Sequence, residues 1–191
     1  MKVLSIDCET NGLYGQIFAI GAIYKDLKTK QEIIYQARVS IEDEVNSWVQ
    51  ENVIPNIKDI ELLDKTVDDD AIGMEKLLLK DFKKFYDRIK AITENELIVI
   101  GHMICPVEAN LFIKMRKYGL MEDFDGPYPF IDVASMLFMI EDEDQTSVDK
   151  YIEKWSLKTP LSLNPHNPLY DAKAALTVFR DLKIRMKGVR V

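Results

Sequence analysis

Val3-Leu4-Ser5-Ile6-Asp7-Cys8-Glu9-Thr10-Asn11-Gly12-Leu13 reads as a short apolar strand that runs straight into an acidic turn. Side chains two apart on a strand share a face, so Asp7 and Glu9 stand side by side and Cys8 turns the other way. Two carboxylates that close repel each other unless a cation lies between them. Their hard oxygen donors suit Mg²⁺ or Mn²⁺. Gly12 lets the chain turn away without covering the pair. Taken alone, the stretch equally describes a solvated strand end, so the decision falls to the rest of the chain.

Outward from this strand the chain reads as one α/β domain over residues 1–191. Its 191 residues and 47% hydrophobic content support a real core. The net charge of −7 argues against a broad electrostatic grip on duplex nucleic acid. It is compatible with a small acidic site that meets phosphate through metal ions. Cys8 and Cys105 fall in strand or strand-edge contexts and read as free intracellular thiols. No stretch is long and apolar enough to cross a membrane, and the N-terminus reads as a strand, not a signal peptide. The expected location is the cytoplasm.

Residues 17–24 and 32–39 continue the first strand as an antiparallel meander. A helix over 45–51 ends before Pro55, and 57–64 reads as a short helix or an irregular crossing. Asp68-Asp69-Asp70 opens a long helix to about 91, its acids favoured by the helix dipole. Met74, Leu78, Phe82, Phe85, Ile89 and Ile92 form that helix's apolar stripe, with Lys80, Lys83, Lys84 and Arg88 on a solvated face. Residues 97–100 are a buried strand. A helix from Pro106 to about 118 is closed by Gly119. Residues 129–132 form a fifth strand, whose Asp132 caps a helix over 133–140. An exposed acidic connection at 141–144, a helix over 147–155 and a loop over 159–167 follow. Asn167 caps and Pro168 opens the last helix, to about 187, which buries Leu169, Ala172, Leu176, Phe179 and Leu182 or Lys183.

Two further stretches carry chemistry. In His166-Asn167-Pro168-Leu169-Tyr170-Asp171, a loop histidine able to titrate near neutrality precedes an aspartate on a rigid helix. In Gly101-His102-Met103-Ile104-Cys105-Pro106-Val107-Glu108, a carboxylate follows the end of a buried strand, where open α/β sheets place functional groups. Singly, each also reads as an ordinary helix start whose acid favours the dipole.

Together these residues form a pattern: Asp7-x-Glu9-Thr10-x-Gly12, the Gly101-His102 turn before a mid-chain helix, Asp132 on a later short strand, and His166-x-x-x-x-Asp171. In that order, over essentially the whole chain, the pattern resembles the DnaQ-like 3′–5′ exonucleases of the DEDDh group. The resemblance implies an RNase H-like fold, a five-stranded mixed β-sheet with α-helices on both faces. It implies two divalent cations, Mg²⁺ or Mn²⁺, and removal of nucleoside 5′-monophosphates from the 3′ ends of single-stranded DNA or RNA. Asp7 and Glu9 would bind both metals, Asp171 would bind one, and His166 would be the general base. Thr10, Gly12 and Leu13 would shape the pocket for the terminal nucleotide, with Leu13 on the base, and His102 and Met103 would also meet substrate.

The middle motif departs from the family. Met103 stands where the family has Asn, and Val107 stands where its third acid falls. Glu108 is one residue later, a step of about 100° around a helix. Glu108, one methylene longer than Asp, is assigned as the third acid, with Asp132 as its rival. Loss of that acid would leave a catalytically weak module that binds nucleic-acid ends or a partner, and this is the second reading. Tyr14, Phe18 and Tyr170 are candidate base-stacking rings, with a core position favoured for Phe18. DNA against RNA, a homodimer and the role of residues 40–66 stay open.

Overall fold

The computed structural model describes residues 1–63, 73–94, 96–140, 146–158 and 164–188, with residues 187 and 188 described as backbone only. Strands β1 (Lys2–Thr10), β2 (Ile17–Asp26), β3 (Glu32–Arg38), β4 (Leu97–Gly101) and β5 (Phe130–Asp132) form one sheet in the order β3-β2-β1-β4-β5. Short turns join β1 to β2 and β2 to β3, and both pairs are antiparallel. β4 pairs parallel with β1 and with β5. Parallel neighbours need long crossovers, and helices supply them. The helices are α1 (Ser47–Asn52), α2 (Met74–Ile92), α3 (Val107–Lys117), α4 (Val133–Ile140), α5 (Val148–Lys154) and α6 (Pro168–Gly188). Among the described residues, no helix is long and apolar enough to cross a membrane.

The two faces of the sheet are covered by different helices. Leu4, Ile6 and Cys8 of β1 belong to one core, with Leu78 and Phe82 of α2 and Leu111 of α3. Val3 belongs to a second core, with Leu137 of α4, Tyr151 of α5 and Phe179 of α6. By strand alternation Asp7 and Glu9 share the face of Val3, the α6 face. Central β2 is buried on both sides from Ile17 through Tyr24.

Helix α6 lies on β1 and β2 and is covered in turn by α4 and α5. It therefore buries more than one stripe: Ala172, Ala174, Ala175, Val178, Phe179 and Leu182 are all inside. Of the expected alternatives, Leu182 is the buried residue and Lys183 is half-buried. The first turn of α6 touches β2 backbone to backbone at Gly21. A Cβ built there would stand 2.2 Å from the Pro168 carbonyl carbon and 2.3 Å from the Leu169 nitrogen. Gly21 is the cross-strand partner of Asp7, so this close approach sets the height of α6 above the acidic strand.

Two sequence readings change, and others fall outside the described residues. The buried stripe of α2 holds Leu78, Phe82 and Ile89 as expected, but Tyr86 is its inner aromatic, with Phe85 and Met74 half-buried and Ile92 43% exposed. A pattern of apolar residues alone misplaces this face because Glu75, Tyr86 and Thr93 are on it, each with a partner. Glu75 accepts from Ile17 N–H, Tyr86 donates to the Asp125 carbonyl, and Thr93 donates to that of Ile89. Cys105 is exposed in a turn, not at a strand edge, whereas Cys8 is buried. The proposed acidic start of α2 at 68–70, the connection at 141–144 and most of the loop at 159–163 lie outside the described residues; α2 is seen from Met74.

Gly21→Ala is expected to push α6 off the sheet. Overpacking of this kind costs about 1–3 kcal/mol, and at ~3 °C per kcal/mol for a chain of this size the loss is visible in a thermal melt. An unchanged melting temperature would show that α6 does not rest on this glycine.

Candidate active site

The acidic strand, the start of α3 and the start of α6 meet at one cavity of about 420 Å³. Asp7 and Glu9 reach it from the end of β1, where the register with β2 shifts between Glu9 and Thr10. Helix α3 opens at Val107, which puts Glu108 in its first turn. Glu108 is 3% exposed, and its Oε1 accepts the Cys8 backbone N–H at 3.2 Å. Asp171 stands in the first turn of α6, one helical turn beyond the Pro168–Leu169 contact with Gly21. His166 has a positive φ of 63°, and its backbone N–H donates to Asp171 Oδ2 at 2.9 Å. One ligand atom each from Glu9, His166 and Asp171 lie within 4.8 Å of one another. Asp7 and Glu108 stand close enough to act on this group by charge.

Burial pushes all four carboxyls up, and the charge of neighbouring acids adds to it. Asp7 is held well above the carboxylate range, first by burial and then by Asp171, Glu108 and Glu9. Glu9 is pushed up to about 9 by burial, Asp171 and Glu108. Glu108 is pushed up to about 8 by burial, against the pull of its backbone hydrogen bonds. Asp171 is pushed up to about 7 by burial, offset by the His166 N–H and reinforced by Asp149. The Cys8 thiol is raised by burial and then by Glu108, Asp7 and Glu9. Such a group is stable either protonated or around cations. Its donors, carboxylate oxygens and one imidazole, fit Mg²⁺ or Mn²⁺.

The surrounding frame is made of amides and one tryptophan. Asn167, nearly fully buried, accepts from Leu169 N–H at 3.1 Å as the cap of α6. It also accepts from Gln36 Nε2 at 2.8 Å and donates to the Asn56 carbonyl at 3.0 Å. It thereby ties α6 to β3 and to the segment that follows β3. That segment packs beside the site. Asn11 donates to the Glu44 carbonyl and accepts from Asn46 N–H, and Asn46 caps α1 through Trp48 and Val49 N–H. The result is the edge of the Trp48 ring against His166, centroids 5.1 Å apart. Part of the open question about residues 40–66 is thus answered by position: Trp48 borders the site. Below the turn after β1, Glu75 accepts from Ile17 N–H, Lys114 and Tyr118, while Lys114 also donates to the Gly15 carbonyl.

Of the residues singled out from sequence, Asp7, Glu9, Glu108, His166 and Asp171 share the cavity wall with Leu13, His102 and Met103. Thr10 and Gly12 do not line it. Gly12, with φ of 77°, makes the turn that carries Leu13 to the rim. His102 Nε2 lies 2.7 Å from the Thr146 carbonyl oxygen, the backbone bond of a strand-end histidine. Asp132, the rival third acid, is occupied as a cap: it accepts from Met103, Ala134 and Ser135 N–H and from the Ser135 hydroxyl. Tyr14 is exposed outside the wall, Phe18 is core, and the Tyr170 hydroxyl donates to Asp149 at 3.2 Å. Trp48 and Asp149 were not anticipated. The one available signal was Asn46, a capping residue just ahead of a surface tryptophan.

No protein-family model and no curated protein matches the chain. Among solved structures it is similar to "Exonuclease X in complex with 5′ overhanging duplex DNA", with a TM-score of 0.55 and 14% identity over 98% of this chain and 94% of that one. At that identity the likeness speaks for the fold. The α/β, five-stranded mixed sheet is the RNase H-like fold that the sequence pattern implied.

The raised carboxyls make a stability prediction. In the folded protein they keep protons that the unfolded chain has released above about pH 4. Stability without metal therefore falls as pH rises through the titration of Asp171, Glu108 and Glu9 at about 7, 8 and 9. Thermal melts in EDTA are expected to move down between about pH 5 and about pH 9, with a smaller fall in Glu108→Gln. Mn²⁺ is expected to raise the melt more at the alkaline end. Identical pH profiles for the two proteins would contradict the coupling.

Proposed function

We propose that the chain is a metal-dependent 3′–5′ exonuclease that acts on single-stranded nucleic acid and releases nucleoside 5′-monophosphates. The observation that carries this reading is the convergence of four carboxyls, Glu108 buried and Asp7, Glu9 and Asp171 half-buried, and His166 on one open cavity. The likeness of fold to an exonuclease supports it. Asp7, Glu9, Glu108 and Asp171 would hold two divalent cations, which when bound neutralise phosphate charge and stabilise the leaving oxygen.

The chain's own residues have distinct tasks. A ring nitrogen of His166 takes the proton of the attacking water and passes it to solvent. The water oxygen forms a bond to phosphorus as the bond from phosphorus to the 3′ oxygen breaks, and that oxygen takes up a proton from solvent. Asp171 fixes the loop through the His166 backbone, and Trp48 limits the swing of the ring. Leu13, 63% exposed at the rim, packs on the terminal base. Met103 replaces an amide donor with an apolar side chain on the opposite rim.

The second reading, a binding module with little turnover, draws on Glu108. Its hydrogen bond to Cys8 N–H engages one of its oxygens with the backbone. A gel assay separates the two. With Mn²⁺ and 5′-labelled DNA and RNA oligonucleotides, a ladder shortening from the 3′ end is expected, absent in Asp7→Ala. In His166→Ala, turnover is expected to drop about 10²–10⁴-fold, with the melting temperature kept. A His166→Ala protein at full rate would remove His166 from the chemistry. A Trp48→Ala protein is expected to bind Mn²⁺ normally and to lose rate without losing metal.

A further inference from the structure

The turn over residues 11–16 carries Leu13 to the cavity rim. Its tip, Leu13 and Tyr14, is exposed, so its place is set from its base. Asn11 N–H donates to the Gln16 carbonyl at 2.9 Å and Gly15 N–H to that of Gly12 at 3.2 Å. A Cβ at Gly15 would stand 2.0 Å from the Asn11 carbonyl oxygen, so the turn is wound tightly. Two helices grip the chain where it leaves the turn. Glu75, buried on α2, accepts Ile17 N–H at 2.6 Å, and Lys114 of α3 donates to the Gly15 carbonyl at 2.7 Å. Glu75 and Lys114 are paired with each other, and the Tyr118 hydroxyl donates to the second Glu75 oxygen at 2.7 Å. On the outer side Gln16 Oε1 accepts Glu42 N–H, and Glu42 Oε2 accepts the N–H of Met74, the residue before Glu75.

Buried backbone groups need partners, and neighbouring main chain commonly supplies them. Here two such groups at the exit of one turn are met by side chains of opposite charge from two helices. A largely buried charge pair is costly to break from one side, so the grip resists displacement. Helix α3 also brings Glu108 to the acids, and Lys114 lies about 9 Å further along it at ~1.5 Å per residue. The rim and the acids are thus registered to one helix. Resting on the exonuclease reading above, we infer that Glu75, which does not line the cavity, is a positioning residue for the rim. Through Ile17 N–H and Lys114 it sets where Leu13 stands over the acids, and so the affinity for the terminal nucleotide. It touches neither metal nor substrate.

The test is a double-mutant cycle. Leu13→Ala, Glu75→Gln and the double variant are compared with the unaltered protein. The readouts are Mn²⁺ affinity, KM and kcat on a single-stranded oligonucleotide, and equilibrium binding of a nucleoside 5′-monophosphate with Mn²⁺. Glu75→Gln is expected to keep Mn²⁺ affinity and to raise KM and the monophosphate Kd about tenfold, as loss of an apolar contact does, with kcat little changed. In the Leu13→Ala background it is expected to add nothing. If Glu75→Gln does not fold, Tyr118→Phe takes its place in the cycle, with a smaller shift in the same direction. Effects that multiply in the double variant, an unchanged KM, or a fall in Mn²⁺ affinity would overturn the inference and leave the exonuclease standing. A folded, Mn²⁺-bound protein that turns over no strand, while monophosphate binding follows the cycle, would do the reverse. It would sink the exonuclease reading and keep Glu75 as the residue that places the rim.

Discussion

The rest of the structure has to accommodate four carboxyl groups in one half-buried space, each raised first by burial and then by neighbouring acids. Nothing in the ordinary economy of folding favours that arrangement, because burial and like charge both disfavour the ionised form. Each acid sits on a separately anchored piece of backbone: β1 for Asp7 and Glu9, the first turn of α3 for Glu108, the first turn of α6 for Asp171. The two cores on either side of the sheet supply the apolar burial that offsets the strain, and the acids occupy the sheet end those cores leave open.

Position is set by close backbone contact more than by side-chain pairing. Gly21 allows α6 to rest on β2 beside Asp7. Asn167 then fixes the direction of α6 through three hydrogen bonds to separate parts of the chain. Asn11 and Asn46 hold α1 so that Trp48 meets His166. These contacts let a chain with two histidines present one of them in a defined pose, stabilised by a bond to Asp171 from its backbone and an aromatic edge on its ring.

Much of this was readable in the sequence. Strand alternation paired Asp7 with Glu9, the meander after β1 placed β2 and β3, a continuous apolar run marked β4, and Asn167-Pro168 marked the start of α6. The departures have physical causes. The polar residues on the inner face of α2 are satisfied by partners distant in sequence, so no local pattern shows Tyr86 or Glu75 as buried. Whether Glu108 reaches the other acids depends on where α3 begins, and a helix start shifted by one residue turns the side chain by about 100°. Val107 as first residue brings Glu108 to the cavity. Trp48 belongs to a crossing whose path depends on hydrogen bonds to Asn11, 35 residues before Asn46.

The central claim is that these carboxyls form one site for two divalent cations and that Glu108 is part of it. Calorimetric titration of Mn²⁺, run in buffers of different ionisation enthalpy, tests it most directly because it reads ions bound and protons released together. The account predicts saturable binding with release of protons from the raised carboxyls, and a loss of both heat and released protons in Glu108→Gln. Binding without proton release, or a Glu108→Gln protein that matches the unaltered chain, would contradict it.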